Sequence, residues 1–188
     1  MQDNPITLHS ISQTMPQIGT LESIIVRPAR GLAAIERTST FAIVGVGLQD
    51  DRRGIESKNI VVKASNREVT LIQAEHIQVI AKILRLPQLN AALLRRNLVI
   101  SGINLLAIKS LFKHQSQHLQ IGEALFEITG ICAPCSRMES LLGEGGYNAM
   151  RGHSGVTARV IRDGVLKVGD HAKLQTAFKL EAQQSLNF

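Results

Sequence analysis

The chain has 188 residues, 44% of them hydrophobic and 19% charged, which suits one soluble domain with its own core. Its formal net charge is +6 with no run of five or more like charges, and with no Trp, one Tyr and five Phe it has little to stack on bases, so no nucleic-acid partner is expected. Two cysteines do not make a disulfide scaffold, no apolar stretch reaches the ~18–20 residues of a membrane span, and the N-terminus lacks the features of a signal peptide; a cytoplasmic, reduced setting with no membrane partner is expected.

Residues 1–18 read as a loose polar leader, 19–175 as a single domain and 176–188 as a tail. LESIIVRPA (21–29) predicts a first strand ended by Pro28. FAIVGVGLQDDRRG predicts an apolar strand broken by Gly45 and Gly47, then a charged loop. NIVVKA (59–64) and REVTLI (67–72), joined by Ser-Asn, predict a hairpin. Ile77, Ile80, Ala81 and Leu84 fall at i, i+3, i+4 and i+7 and predict an amphipathic helix over 73–85. Pro87 opens a second short helix through Leu94, NLVISGI (97–103) returns to strand, and His114 to His118 read as surface loop.

Two segments, around Gly122-Glu123 and Gly169-Asp170, share an apolar-x-apolar-Gly-acid pattern that suits barrel corners. Val156, Ala158 and Val160 alternate on a strand, and Asp163-Gly164 predicts a tight hairpin. The class expected is mainly β with helices (α+β), a β-barrel decorated with short helices.

Cys132-Ala-Pro-Cys135 precedes Ser136-Arg137-Met138-Glu139, which has the form of a capping box. With Ser136 as N-cap, Cys135 lies just before the helix start, a position that favours a thiolate as nucleophile or metal ligand. Four readings of the pair stand side by side. A thioredoxin-like pair needs a downstream proline loop, and no proline follows Pro134. Structural zinc needs about four ligands; there is no second C-x-x-C, and His114, His118, His153 and His171 match no finger. Two inert core thiols remain a reading, and one working thiol, Cys135, is the fourth. The following loop, GEGGYNAMRGHSG (143–155), favours the fourth: its five glycines permit a backbone anion cradle, and Arg151 and His153 add phosphate donors. His76, on the 73–85 helix, reads as structural.

The text REVTLIQAE (67–75), RRNLVISGINL, IGEALFEITGICAPCSRME and GGYNAMRGHSGVTARVIRDGVLKVGD resembles, in order, MOSC domains, named after the C-terminal domain of molybdenum cofactor sulfurase. The resemblance spans roughly residues 20–175 and is most specific over 97–170. It implies a β-barrel and a thiol, mapping to Cys135, that ligates the molybdenum of molybdopterin or carries sulfur as a persulfide. It matches Arg95, Arg96 and Asn97 to the segment approaching the pterin, Asp51 and Arg52 to a Gly-Asp-Arg loop, and Cys132 to a neighbour that is not the metal ligand. Asp50 stands where that loop has glycine.

With molybdenum cofactor bound, the family's chemistry implies reduction of N-hydroxylated compounds, with a separate reductase as electron donor. As a sulfur carrier, the chain would receive sulfur from a separate cysteine desulfurase. A non-catalytic cofactor-binding module is a third expectation. Pyridoxal phosphate is mentioned for the family, but no lysine here matches a Schiff-base motif.

Overall fold

The computed structural model describes residues 6–57, 63, 65–109, 111–112 and 117–175. Among these residues eleven strands form around two apolar cores. They are β1 (Gly19–Val26), β2 (Ile35–Arg37), β3 (Ser39–Ile43), β4 (Gly47–Leu48), β5 (Val69–Gln73), β6 (Leu98–Ser101), β7 (His118–Ile121), β8 (Ala124–Ile131), β9 (Val156–Arg162), β10 (Gly164–Lys167) and β11 (His171–Gln175). Five short helices accompany them: α1 (Leu8–Ile11), α2 (Arg52–Glu56), α3 (Ala74–Ile83), α4 (Ser136–Leu142) and α5 (Gly146–Met150).

Seven strands close a mixed barrel in the order β11-β7-β8-β9-β5-β6-β1, with β1 returning to β11. Closure joins Gly19 to Ala172 and Thr20 to His171, after which β2 takes over the free edge of β1 at Ile24–Val26. β5 and β6 are parallel, so the chain must cross over between them, and α3 makes that crossing. β10, β3 and β4 form a separate small sheet. The fold expected from sequence is therefore observed, a barrel with a few short helices.

Alternation along the strands separates the two cores. Val69 and Leu71 of β5, and Leu98 and Ile100 of β6, point into the barrel. Ile72, Val99 and Ile25 of β1 point outward, under a second core built with Ile77, Ile80 and Ala81 of α3, Met138 of α4, and Ala149 and Met150 of α5. The helical stripe read from residues 77–84 is the face that makes this contact, with Leu84 packed at its edge.

Several local expectations are corrected. The charged loop after Gly47 begins a helix, with Asp51 at the N-cap of α2. The helix expected from Pro87 is only a 3-10 turn, Ala91–Leu94, because the Asn90 side chain accepts the Ala92 N–H and starts the turn there. Gln117 is buried and His118 opens a strand, so they are not surface loop; residues 113–116, with His114, lie outside the described residues. The 59–64 arm of the expected hairpin also lies outside them, apart from Lys63.

Asp163-Gly164 does not close a hairpin, since β10 pairs with β3 and not with β9. Asp163 Oδ1 accepts the Val44 N–H at 2.6 Å, and a Cβ on Gly164 would come within 2.5 Å of the Ala124 nitrogen. The Asp-Gly pair thus lets the chain leave the barrel and pass to the small sheet.

Candidate functional site

On the outer face of the wall, the row Ile25, Ile72 and Val99 continues at one end as Arg27, Thr70 and Asn97. The apolar part lies beneath helices. The polar part is tied into one network. Asn97, fully buried, accepts at Oδ1 from Thr70 N–H (3.1 Å), Thr70 hydroxyl (2.9 Å) and Arg27 Nη2 (3.0 Å), and donates from Nδ2 to the Ile25 carbonyl (3.2 Å). Asp51, also buried, accepts from the Arg27 N–H at 2.6 Å, from Nε at 3.1 Å and from Nη2 at 2.7 Å.

Over this network opens a cleft of about 490 Å³. Among the described residues eight arginines line it, numbers 27, 30, 52, 53, 67, 95, 96 and 137, with two carboxylates, Asp51 and Glu68, and both cysteines. Cations spread thinly along the chain are thus gathered by the barrel. Arg27 and Arg30 follow β1, Arg52 and Arg53 begin α2, Arg67 precedes β5, Arg95 and Arg96 precede β6, and Arg137 lies on α4.

Both carboxylates are engaged: Asp51 by Arg27, and Glu68 by the N–H groups of Ser65 (3.3 Å) and Val160 (2.9 Å). Arg53 is turned away onto the carbonyls of Val46, at 3.0 Å, and Lys63, at 2.8 Å. Arg95 sits at φ +57° where it closes the 3-10 turn, a strained backbone for a non-glycine, and its Nη1 donates to the Leu32 carbonyl at 2.9 Å.

Arg96 is the unusual member. It is only 7% exposed, and it donates from Nε to the Ser154 carbonyl (2.8 Å) and from Nη1 to the Leu94 carbonyl (3.1 Å). Among the described residues its buried Nη2 has no hydrogen-bond partner. Burial holds its pKa below the ordinary arginine value, an effect opposed by the neighbouring Cys132 and Cys135.

The two thiols differ. Cys132 is buried, just past β8, and its N–H donates to the Gly155 carbonyl at 2.9 Å. Cys135 is exposed. It is itself the N-cap of α4, so the helix begins one residue earlier than the sequence suggested, and the capping box does not form. Glu139 turns forward instead: its Oε1 and Oε2 accept the N–H groups of Gly145 (2.7 Å) and Tyr147 (2.8 Å). Gly145, at φ +82°, presents those donors at the start of α5, and the bonds from Tyr147 and Gly145 hold the Glu139 carboxyl below the usual range.

The 143–155 segment is accordingly not an open glycine cradle, since its middle is α5. Gly155, at φ +84°, packs so tightly that a Cβ would fall 1.9 Å from the Leu71 carbonyl oxygen. Ser154 reaches the cleft through its backbone carbonyl alone, on Arg96.

Of the residues singled out from sequence, Cys135, Asp51, Arg52, Arg95 and Arg96 line the cleft, and Asn97 lies beneath it as a positioning group. Arg151 is exposed at the end of α5, and His153 faces His76 with ring centroids 5.2 Å apart; neither lines the cleft. Asp50 accepts from the Thr40 hydroxyl at 3.1 Å and does not line it either. Sequence reading missed Arg27, Arg30, Arg53, Arg67, Arg137 and Glu68. The available signal was position, since Arg27 and Arg67 flank strands whose apolar residues alternate. Among the described residues no group of three or more His, Cys, Asp or Glu side chains could hold a metal ion, and no helix is long and apolar enough to cross a membrane.

A family model described as MOSC domain matches residues 58–173. Among solved structures, the YuaD protein of Bacillus subtilis is similar with a TM-score of 0.68 and 16% identity, over 86% of this chain and 98% of that one. YiiM of Geobacillus stearothermophilus has a TM-score of 0.60 and 15% identity, covering 84% of this chain and 75% of its own. YiiM of Escherichia coli has 0.61 and 15%, covering 87% and 72%. No curated protein matches the chain.

Proposed function

The chain belongs to the MOSC domain family, and on that premise we propose that it binds molybdenum cofactor in the arginine-lined cleft, with the Cys135 thiolate as the metal's protein ligand. One observation carries the reading: the exposed thiol and eight arginines share one cleft. The donor set fits such a group, since a thiolate is a soft ligand suited to the metal and the buried Arg96 Nη2 lacks an acceptor that a phosphate oxygen would supply.

Arg96, with Arg30, Arg67 and Arg137 around it, would grip the phosphate and polar edge; Arg52 and Arg95 complete the rim. Arg27 does not need to leave Asp51 for this, and the Asn97 bond keeps it in place. Arg151 and His153 are assigned no contact with the cofactor. When bound, the metal would supply redox chemistry suited to reducing N-hydroxylated compounds, with electrons from a separate reductase.

The test is molybdenum per chain after anaerobic incubation with freshly released cofactor and desalting, for wild type and Cys135→Ser. Near-stoichiometric metal in the wild type and its loss in the variant are expected. No metal in either, or equal metal in both, would sink the reading.

A further inference from the structure

We propose that His76 and His153 are positioning residues for the cleft: their ring contact sets the Ser154 carbonyl that anchors Arg96, and charging that contact loosens the cleft's hold on anions. The inference rests on the reading of the cleft as an anion site and needs no metal.

His76 lies on α3, and His153 follows α5. Their rings meet edge to face, with centroids 5.2 Å apart and planes at 74°. Among the described residues, the Nδ1 atoms of both are buried and have no hydrogen-bond partner. A neutral ring with its proton on Nε2 buries only a bare lone pair there. A charged ring carries an N–H on both nitrogens, so protonation buries a donor with no acceptor, beside a second ring. The ring has to move to satisfy it.

Movement at His153 has one way to go. A Cβ on Gly152, at φ +81°, would meet nothing within 4 Å, whereas Gly155 is wedged against the Leu71 carbonyl. Residues 153 and 154 lie between this open end and this fixed end. The His153 N–H (2.9 Å) and the Ser154 hydroxyl (2.6 Å) both donate to the Met150 carbonyl. Ser154, 2% exposed, in turn accepts Arg96 Nε at its own carbonyl, at 2.8 Å. A shift of the His153 ring is thus passed to one of the two bonds that anchor the Arg96 guanidinium. Nη2, the nitrogen left for an incoming anion, turns with it.

β5, β6 and α5 pack against α3 and carry no charged side chain, and Arg151, two residues before His153, is exposed. Burial, then the charge of His153, lowers the His76 pKa from 6.5, and Glu75 beside it on α3 opposes them. Protonation of His76 therefore comes below about pH 6.5. The lining of the cleft predicts the opposite trend. Protonating its carboxylates or thiols removes negative charge and strengthens anion binding, while the arginines stay charged. A grip that weakens in acid has to arise outside the lining, and the histidine pair is placed to supply it.

The test measures sulfate, a dianion throughout, binding to the purified full chain by calorimetry between about pH 5 and 8, with circular dichroism to show that the chain stays folded. Wild-type affinity should fall about tenfold toward the acid end, the worth of one hydrogen bond to a charged group. His76→Phe and His153→Phe each replace one titrating ring by an apolar one and should hold that fall below about twofold. In nitrogen-edited NMR spectra of the wild type, the Arg96 Nε–H signal should shift with the midpoint at which the His76 ring titrates, a readout that needs no variant to fold. No sulfate binding at any pH, an affinity level or rising in acid, the same fall in both variants, or an Arg96 signal indifferent to the His76 titration would overturn the inference. Molybdenum bound by the wild type with a level sulfate profile would leave the cofactor reading standing and this one fallen; the expected sulfate profile without molybdenum would do the reverse.

Discussion

Arg27 Nη2 donates to Asn97 Oδ1 at 3.0 Å, and through that bond the floor of the cleft becomes part of the barrel wall. The same oxygen accepts from both donors of Thr70 on β5, while the Asn97 amide reaches β1 through the Ile25 carbonyl. One side chain thus fastens three strands and aims a guanidinium.

Asn97→Ala should remove about 3 kcal/mol of stability, because the Thr70 N–H and hydroxyl lose the acceptor they share and a fully buried amide is deleted, while Arg27 Nη2 keeps its bond to Asp51. Urea unfolding of wild type and variant measures it. A loss below about 1 kcal/mol would mean that solvent or neighbours replace the amide.

The two thiols should separate chemically. In the folded chain Cys135 is expected to alkylate and Cys132, 4% exposed, only after unfolding, as peptide mass mapping will show. Anionic iodoacetate should lose rate with added salt more steeply than neutral iodoacetamide, since the arginines attract only the former. Identical salt responses would show that the cleft charge does not reach the thiol.

Gly155→Ala and Gly143→Ala both place a side chain at positive φ, +84° and +87°, so each carries a backbone cost of about 1–3 kcal/mol. A Cβ on Gly143 meets nothing within 4 Å, whereas one on Gly155 collides with the Leu71 carbonyl. Gly143→Ala should fold with a modest loss; Gly155→Ala should lose clearly more, or yield no soluble protein. Equal midpoints in thermal melts would contradict the packing described for the end of this segment.

His76 gives the fold an acid-side weakness. Burial, then the charge of His153, lowers its pKa from 6.5, with Glu75 opposing. The folded chain therefore binds this proton less readily than the unfolded chain. Stability from this residue is complete above about pH 6.5 and is lost as pH falls below it, until the folded group also titrates. His76→Phe should flatten the fall on that side in denaturation midpoints measured across the range. His118, also lowered by burial, acts in the same direction and will remain in the variant.

Strand-and-helix alternation made the barrel class, α3 and the Cys135 neighbourhood legible, because each is written in residues close in sequence. The arginine cleft is not written that way. Its members come from five separate places and meet only because β5 and β6 run parallel beneath α3 and β1 lies beside them. The Asp-Gly pair and the glycine-rich segment misled for a related reason. Asp163 finds its partner at Val44, and the N–H groups at Gly145 and Tyr147 capture Glu139 and settle a helix where an open loop was expected. In each case the deciding partner is absent from the local pattern.

No lysine lines the cleft among the described residues; every cation there is a guanidinium. Such groups hold their proton across the whole physiological range, even where burial lowers their pKa as at Arg95 and Arg96. Among the described residues lysine acetylation has nothing to neutralise in this cleft, and its positive charges stay constant between mild acid and mild alkali. A pH profile of events inside it therefore reports on groups other than its cations, and the arginines form a fixed electrostatic background to them.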